Sequence, residues 1–301
     1  MIQITNQQIE NLKITPEQCV AWVTESFKMK YDTQLPPKIS VHPQGIDFYT
    51  SMPCLLPALF DRFGVKVVSR VNGRKPALHS DLLLYEASSG HLLALMDADW
   101  ITQMRTGAVA ALAIQTLQQS HATTYAFVGL GSVAKATMEC FLAILPQDKH
   151  IIVKLQKYKD QAEAFAQQFV DNRVTYQIVE THEELVKDSD VIVSAVTEMT
   201  ELFCEDNSLF KEGVLVVPIH TRGFQNCDLF FDHVFADDKG HVAGFKYFDR
   251  FKAFNELSEV LLGKVPARLS GKERILAYNI GLGLHDVYFA SKIYERLTRN
   301  N

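Results

Sequence analysis

Cysteine is sparse in this sequence and never closely paired. Cys19, Cys54, Cys140, Cys204 and Cys227 are scattered, with no Cys-x-x-Cys spacing among them. That excludes a disulfide framework or a cysteine-bound metal as the organising device and fits buried thiols in a reducing compartment. Positive charge is also short: 30 Lys and Arg stand against 35 Asp and Glu, for a net charge of -5. Such a balance provides no broad basic surface, so nucleic acid and anionic membrane are excluded as the main partner. No apolar run reaches the roughly 20 residues that span a bilayer. The opening residues lack the basic-then-apolar order of a secretory signal. From these absences the expectation is a cytoplasmic protein with no metal site. What remains is ordinary globular composition, 301 residues of which 47% are hydrophobic and 22% charged, with room for about two domains.

The chain changes texture near residue 120. Before it, Pro16 to Lys30 reads as a helix, with Thr15 as N-cap and Pro16 in the first turn, where its missing N–H is harmless. Residues 46–50, 65–71, 81–86 and 92–96 read as strands, with a hairpin turn at 88–90. An alanine-rich helix follows from Asp99 to Leu117. After residue 120, short apolar strands alternate with helices: 125–128, 151–155, 175–179, 190–196, 213–219 and 233–237 are the strands. That alternation predicts an α/β fold with a Rossmann-type, doubly wound parallel sheet. The stretch from Ile275 reads as a loop that runs into a final helix from about Gly283. The expected division is 120–282 for the dinucleotide domain, with 1–119 and 283–301 forming a strand-rich α+β domain.

Gly129-Leu130-Gly131-Ser132-Val133-Ala134 matches G-x-G-x-x-G/A between a predicted strand and a predicted helix. In that context each position has a job. Gly129 makes the tight turn, Gly131 lets a pyrophosphate approach the backbone, and Ala134 permits close helix–strand packing. The second strand ends in Gln156-Lys157-Tyr158-Lys159 rather than the Asp or Glu that bonds a ribose 2′-hydroxyl. Lys157 and Lys159 could neutralise a 2′-phosphate, which favours NADP(H), with NAD(H) as the alternative.

Three cations are candidates for the substrate side. Arg105 could clamp a carboxylate bidentately, or pair with Asp97 or Asp99 on the surface. Lys66 lies between two valines on a strand; by alternation it points either to water or inward, where desolvation would lower its pKa. Lys38 is a third. His220 and Arg222 follow the strand 213–219 and are either solvent-facing or aimed at an acidic group of the substrate. Asp286 fits a helix N-cap.

The segments Met52-Pro53, Gly64-Val65-Lys66, 97–113, 128–134, 254–268 and 280–297 resemble, in order, those of the ornithine cyclodeaminase/mu-crystallin family. The resemblance implies a substrate-binding and dimerisation domain beside the dinucleotide domain. It also implies a homodimer, and a small amino or imino acid substrate that exchanges hydride at the carbon bearing nitrogen. By position, Lys66 matches the active-site lysine and Arg105 a carboxylate-binding arginine. Lys38 stands where many members have a second arginine, and Thr106 falls near the nicotinamide. Cyclodeaminases carry an acid in the loop that here reads His220-Thr221-Arg222, and the resemblance places Arg222, or with a shift Thr221, at that position. The implied activity is therefore an NAD(P)-dependent oxidoreductase, an imine reductase or amino-acid dehydrogenase. The alternatives are an ammonia-releasing cyclodeaminase and a crystallin-type binding protein with little activity.

Overall fold

The computed structural model describes residues 1–196 and 199–299. Its first elements are β1 (Ile2–Ile4), α1 (Asn6–Asn11), α2 (Pro16–Lys28), β2 (Ile39–Val41), β3 (Phe48–Leu55), β4 (Arg62–Arg70), β5 (Leu78–Glu86), β6 (Leu92–Asp97) and α3 (Asp99–Leu117). The α2 start is a full capping box, with Thr15 and Gln18 bonding each other's backbone N–H, and this fixes the helix where the sequence predicts it. The six strands form one sheet in the order β1-β6-β5-β4-β3-β2, antiparallel except for β1 against β6.

The remaining elements are β7 (Thr124–Val128), α4 (Ser132–Ile144), β8 (Ile151–Gln156), α5 (Gln161–Gln168), β9 (Val174–Val179), α6 (His182–Val186) and β10 (Val191–Ser194). After them come β11 (Leu215–Pro218), α7 (Gln225–Phe230), β12 (His233–Ala236), α8 (Lys239–Val242), β13 (Phe254–Glu256), α9 (Leu257–Leu261), β14 (Ile275–Tyr278) and α10 (Gly283–Thr298). Strands β7 to β14 form an eight-stranded, all-parallel sheet in the order β13-β12-β14-β11-β10-β7-β8-β9. The chain runs outward from β7 to β9, then returns to β10 on the other side of β7. This reversal makes the switch point where α/β sheets bind ligands. Every residue of β10, β11, β12 and β14 is buried, as expected of strands covered on both faces.

The final segment corrects one expectation. Ile275–Tyr278 is not a loop but a strand inserted between β11 and β12. Four apolar residues give a signal too short to separate a buried strand from a connector.

The chain groups into two compact units: residues 1 to 105 with the segment from Gly281 onward, and residues 106 to 280. In the first, α10 lies across β3, β4 and β5 and against α2. Trp22 of α2 meets Phe289 of α10 edge-on at 5.0 Å. Among the described residues no helix is long and apolar enough to cross a membrane. All five cysteines are buried thiols.

Candidate functional site

In the second unit, β7 turns into α4 through Gly129 and Gly131. Gly129 has φ +76°, and a Cβ there would stand 2.5 Å from the Val196 nitrogen. Only glycine fits that combination of left-handed backbone and close approach. Gly131 differs: a Cβ there would meet nothing within 4 Å. Its missing side chain leaves open a cavity of about 510 Å³ lined by Gly129, Gly131, Gln156, Lys157, Tyr158 and His182, with other residues around them. Gly131 is also the N-cap of α4, and no side chain caps that end. Ser132, Val133 and Ala134 make the first turn, whose amides have no partner within the helix. An open cradle at an uncapped, 13-residue helix suits a pyrophosphate. The residues present therefore fit a dinucleotide.

Lys157 lines this cavity, while its Nζ bonds Glu180 Oε1 at 2.8 Å on the surface. Lys159 is not among the lining residues; its Nζ lies over the Tyr158 ring, 5.4 Å from the centroid. Thr106 is buried in α3 and does not line the cavity.

The first unit holds a cluster of buried charge. Lys66 on β4 pairs with Met52 of β3 and Leu82 of β5, so it shares the inner face with two buried apolar residues. Its side chain is 0% exposed, and its Nζ donates to Asp286 Oδ1 at 2.8 Å. Arg105 Nε donates to the same oxygen at 2.9 Å. Gly281, with φ +95°, lies so close to the guanidinium that a Cβ would sit 2.3 Å from Nη1. Asp286 Oδ2 is buried and accepts no hydrogen bond among the described residues. Burial pushes the Lys66 ammonium down to about 7; Arg105 and Lys38 add to the shift and Asp286 opposes it. Lys38, half-buried just ahead of β2, is thus close enough to act on Lys66. Burial, followed by Asp286, drives the Cys54 thiol up to about 12.

Two expectations are corrected here. Arg105 pairs with Asp286, not with Asp97 or Asp99. Asp286 is not the N-cap of α10, which is Leu282; it lies in the first turn with its carboxylate turned onto the two cations.

The loop after β11 carries the other two candidates of the second unit. Arg222 is exposed and borders another hollow, with Glu201 and Glu205. His220 Nε2 lies 2.7 Å from Ser194 Oγ, and burial holds its pKa down to about 4, so the ring is neutral at pH 7. Asp228 faces the core, where it accepts the Tyr278 hydroxyl at 2.8 Å.

A profile of the ornithine cyclodeaminase/mu-crystallin family matches residues 2–301. The chain belongs to this family. It is similar to the nodulation efficiency protein NfeD of Rhizobium meliloti, 28% identical over 86% of this chain and 83% of that one. It is also similar to a pyrroline-2-carboxylate reductase of Bacillus cereus, 26% identical over 81% of this chain and 80% of that one. Among solved structures, the Thermococcus litoralis pyrroline-2-carboxylate reductase, in complex with NADH and L-proline, superposes with a TM-score of 0.87. It is 21% identical and covers 100% of this chain and 98% of its own, so the likeness shows the fold. Family relatives matched by this chain also bear the names alanine dehydrogenase and L-lysine cyclodeaminase.

Asp286 is the residue of the cluster that sequence reasoning left in a structural role. Its signal was present: the Gly281 to Asp286 spacing is among the specific segments of the ornithine cyclodeaminase/mu-crystallin resemblance. A helix-start aspartate also has an ordinary capping role, and that local explanation masked its bond to Lys66, 220 residues away.

Proposed function

We propose that this protein is an NAD(P)-dependent oxidoreductase acting on a small amino or imino acid, of imine reductase or amino-acid dehydrogenase type. The observation that carries the reading is the buried Lys66–Asp286–Arg105 cluster. Two cations share one oxygen of one carboxylate, with Lys38 acting on the same group. A buried site with more positive than negative groups calls for an anion. A substrate carboxylate held by Arg105 and Lys38 meets that demand and sets the adjacent carbon and nitrogen beside Lys66. At about 7, the Lys66 ammonium can give or take a proton at the substrate nitrogen near neutral pH. The Gly129–Ala134 turn holds the dinucleotide, and a nicotinamide bound there supplies or accepts the hydride.

The finer parts of the reading follow from the same units. Residues 1–105 with the segment from Gly281 onward form the substrate side, and 106–280 the cofactor side. Lys157 supports NADP(H): it borders the cavity, and an ion pair as exposed as Lys157–Glu180 is weak enough to yield to a 2′-phosphate. The face of the six-stranded sheet opposite Lys66 supports a homodimer. It carries Tyr49, Leu55, Phe63, Val65, Val67 and Leu83, none of them fully buried, and apolar patches of this kind mark interfaces. An archaeal alanine dehydrogenase of the same fold is described as a dimer with bound NAD. The cytoplasm, where nicotinamides are plentiful and thiols stay reduced, suits five buried cysteines.

A cyclodeaminase reading fits less well, because the His220–Arg222 loop carries no carboxylate and Asp228 is engaged by Tyr278. Following reduced-nicotinamide absorbance with NADPH or NADH and pyrroline-2-carboxylate tests the proposal. Net oxidation of the cofactor supports it. Ammonia release from ornithine or lysine without net change in absorbance selects the lyase. Tight NADPH binding with no turnover across imino acids, or keto acids with amines, selects the binding protein.

A further inference from the structure

We propose that the Lys66–Arg105–Asp286 cluster takes up a substrate carboxylate and a proton together, the proton coming to rest on Lys66 Nζ. The inference rests on reading this cluster as the carboxylate site and adds what happens to its charge on binding.

The charged groups facing Lys66 come from every element around it. Arg105 comes from α3, Asp286 from α10 and Lys38 from the segment before β2. On β3, Cys54 stays a protonated thiol and contributes no charge. Two cations thus bond one carboxylate oxygen, with a third, Lys38, near enough to act on Lys66, in a place where Lys66 and Asp286 are fully buried. Arginine does not release its proton. Lys38 is partly exposed, so water screens its charge. Lys66 is the group that yields. Burial, Arg105 and Lys38 outweigh the pull of Asp286 and bring it to about 7.

An entering carboxylate adds a second negative charge beside Arg105 and Lys38. It offsets the two positive charges that disfavour protonated Lys66, so the ammonium form is stabilised. Below about pH 7 the unbound site already holds the proton, and binding exchanges none. Above it the unbound Nζ is an amine, and binding draws a proton from solvent. Affinity for a carboxylate therefore falls roughly tenfold per pH unit above that point and is flat below it. The gained proton sits where a reduction needs it. The Nζ–H bond breaks, an N–H bond forms at the imine nitrogen, and the neutral amine regains its proton from solvent. Asp286 is a positioning residue here, holding Nζ and the Arg105 Nε on one oxygen.

The test is calorimetric titration of pyrrole-2-carboxylate, a planar carboxylate whose ring nitrogen does not titrate in this range. The protein is the full chain with saturating NADPH, in buffers of different ionisation enthalpy. Expected uptake approaches one proton per ligand at about pH 8.5 and almost none at about pH 6. In Lys66→Met the pH-dependent uptake is lost, while Arg105 still binds the carboxylate. In Asp286→Asn the midpoint of the affinity profile moves to lower pH, a shift that a purely structural role would not produce. Binding without uptake at the higher pH overturns the inference and leaves the carboxylate site standing. Failure of this probe and of pyruvate to bind at any pH removes the site and the inference with it.

Discussion

The glycine turn of the second unit and the charged cluster of the first solve opposite problems. In the proposed reading the turn binds by what it omits: Gly131 leaves space, the α4 end is left uncapped, and backbone amides face the opening. In the same reading the cluster binds by what it concentrates: Lys66 and Asp286 at 0% exposure, with Arg105 on the same oxygen. Backbone sites tolerate changes in side chains but not the gain of one. Side-chain sites are sensitive to a change of charge, because a buried ion that loses its partner is destabilising.

That contrast can be broken most sharply at Lys66. Lys66→Met should lower kcat/KM about a thousandfold, the usual scale for losing a proton-transfer group, with dinucleotide affinity unchanged in a fluorescence titration. The two glycines come next. Gly131→Ala should leave the thermal midpoint in place, since its Cβ meets open space, yet weaken dinucleotide binding roughly tenfold or more by obstructing the backbone. Gly129→Ala should instead lower the midpoint by several degrees, a left-handed alanine alone costing about 1–2 kcal/mol. If both glycines behaved alike, the distinction between a ligand's glycine and a fold's glycine would fail. Arg105→Lys should raise KM for the carboxylate about tenfold, as a point charge replaces a fork, with kcat changed less. The smallest effect belongs to Lys157→Ala: a loss of roughly threefold to tenfold in affinity for NADPH relative to NADH, measured as a ratio of dissociation constants.

The two regions also differ in how much of them the sequence exposes. The turn is local: strand, glycines and helix lie within residues 124–144, so the glycine spacing could be read together with its strand and helix context. The parallel sheet was readable for the same reason, from apolar runs alternating with helices. β14 escaped because its four residues lie next to a glycine-rich loop. The cluster joins residues separated by 181 and 220 positions, beyond any local periodicity. The inward direction of Lys66 had a trace in its cross-strand neighbours Met52 and Leu82. Reading it required the register between strands, which a single chain does not print. Lys159, two residues from Lys157, is not among the residues lining the cavity, and its Nζ lies over the ring of Tyr158, which is.

The stretch from Ile275 to Thr298 has a consequence for how the molecule comes into being. β14 is the strand that joins β12 and β13 to the rest of their sheet. The helix that follows it supplies Asp286 and covers β3 to β5. Until the ribosome has released this stretch, neither unit can be completed: one sheet is in two pieces and the other has a bare face with a buried lysine awaiting its counter-ion. Both units therefore depend on the same stretch of chain, and neither closes before that stretch has been made.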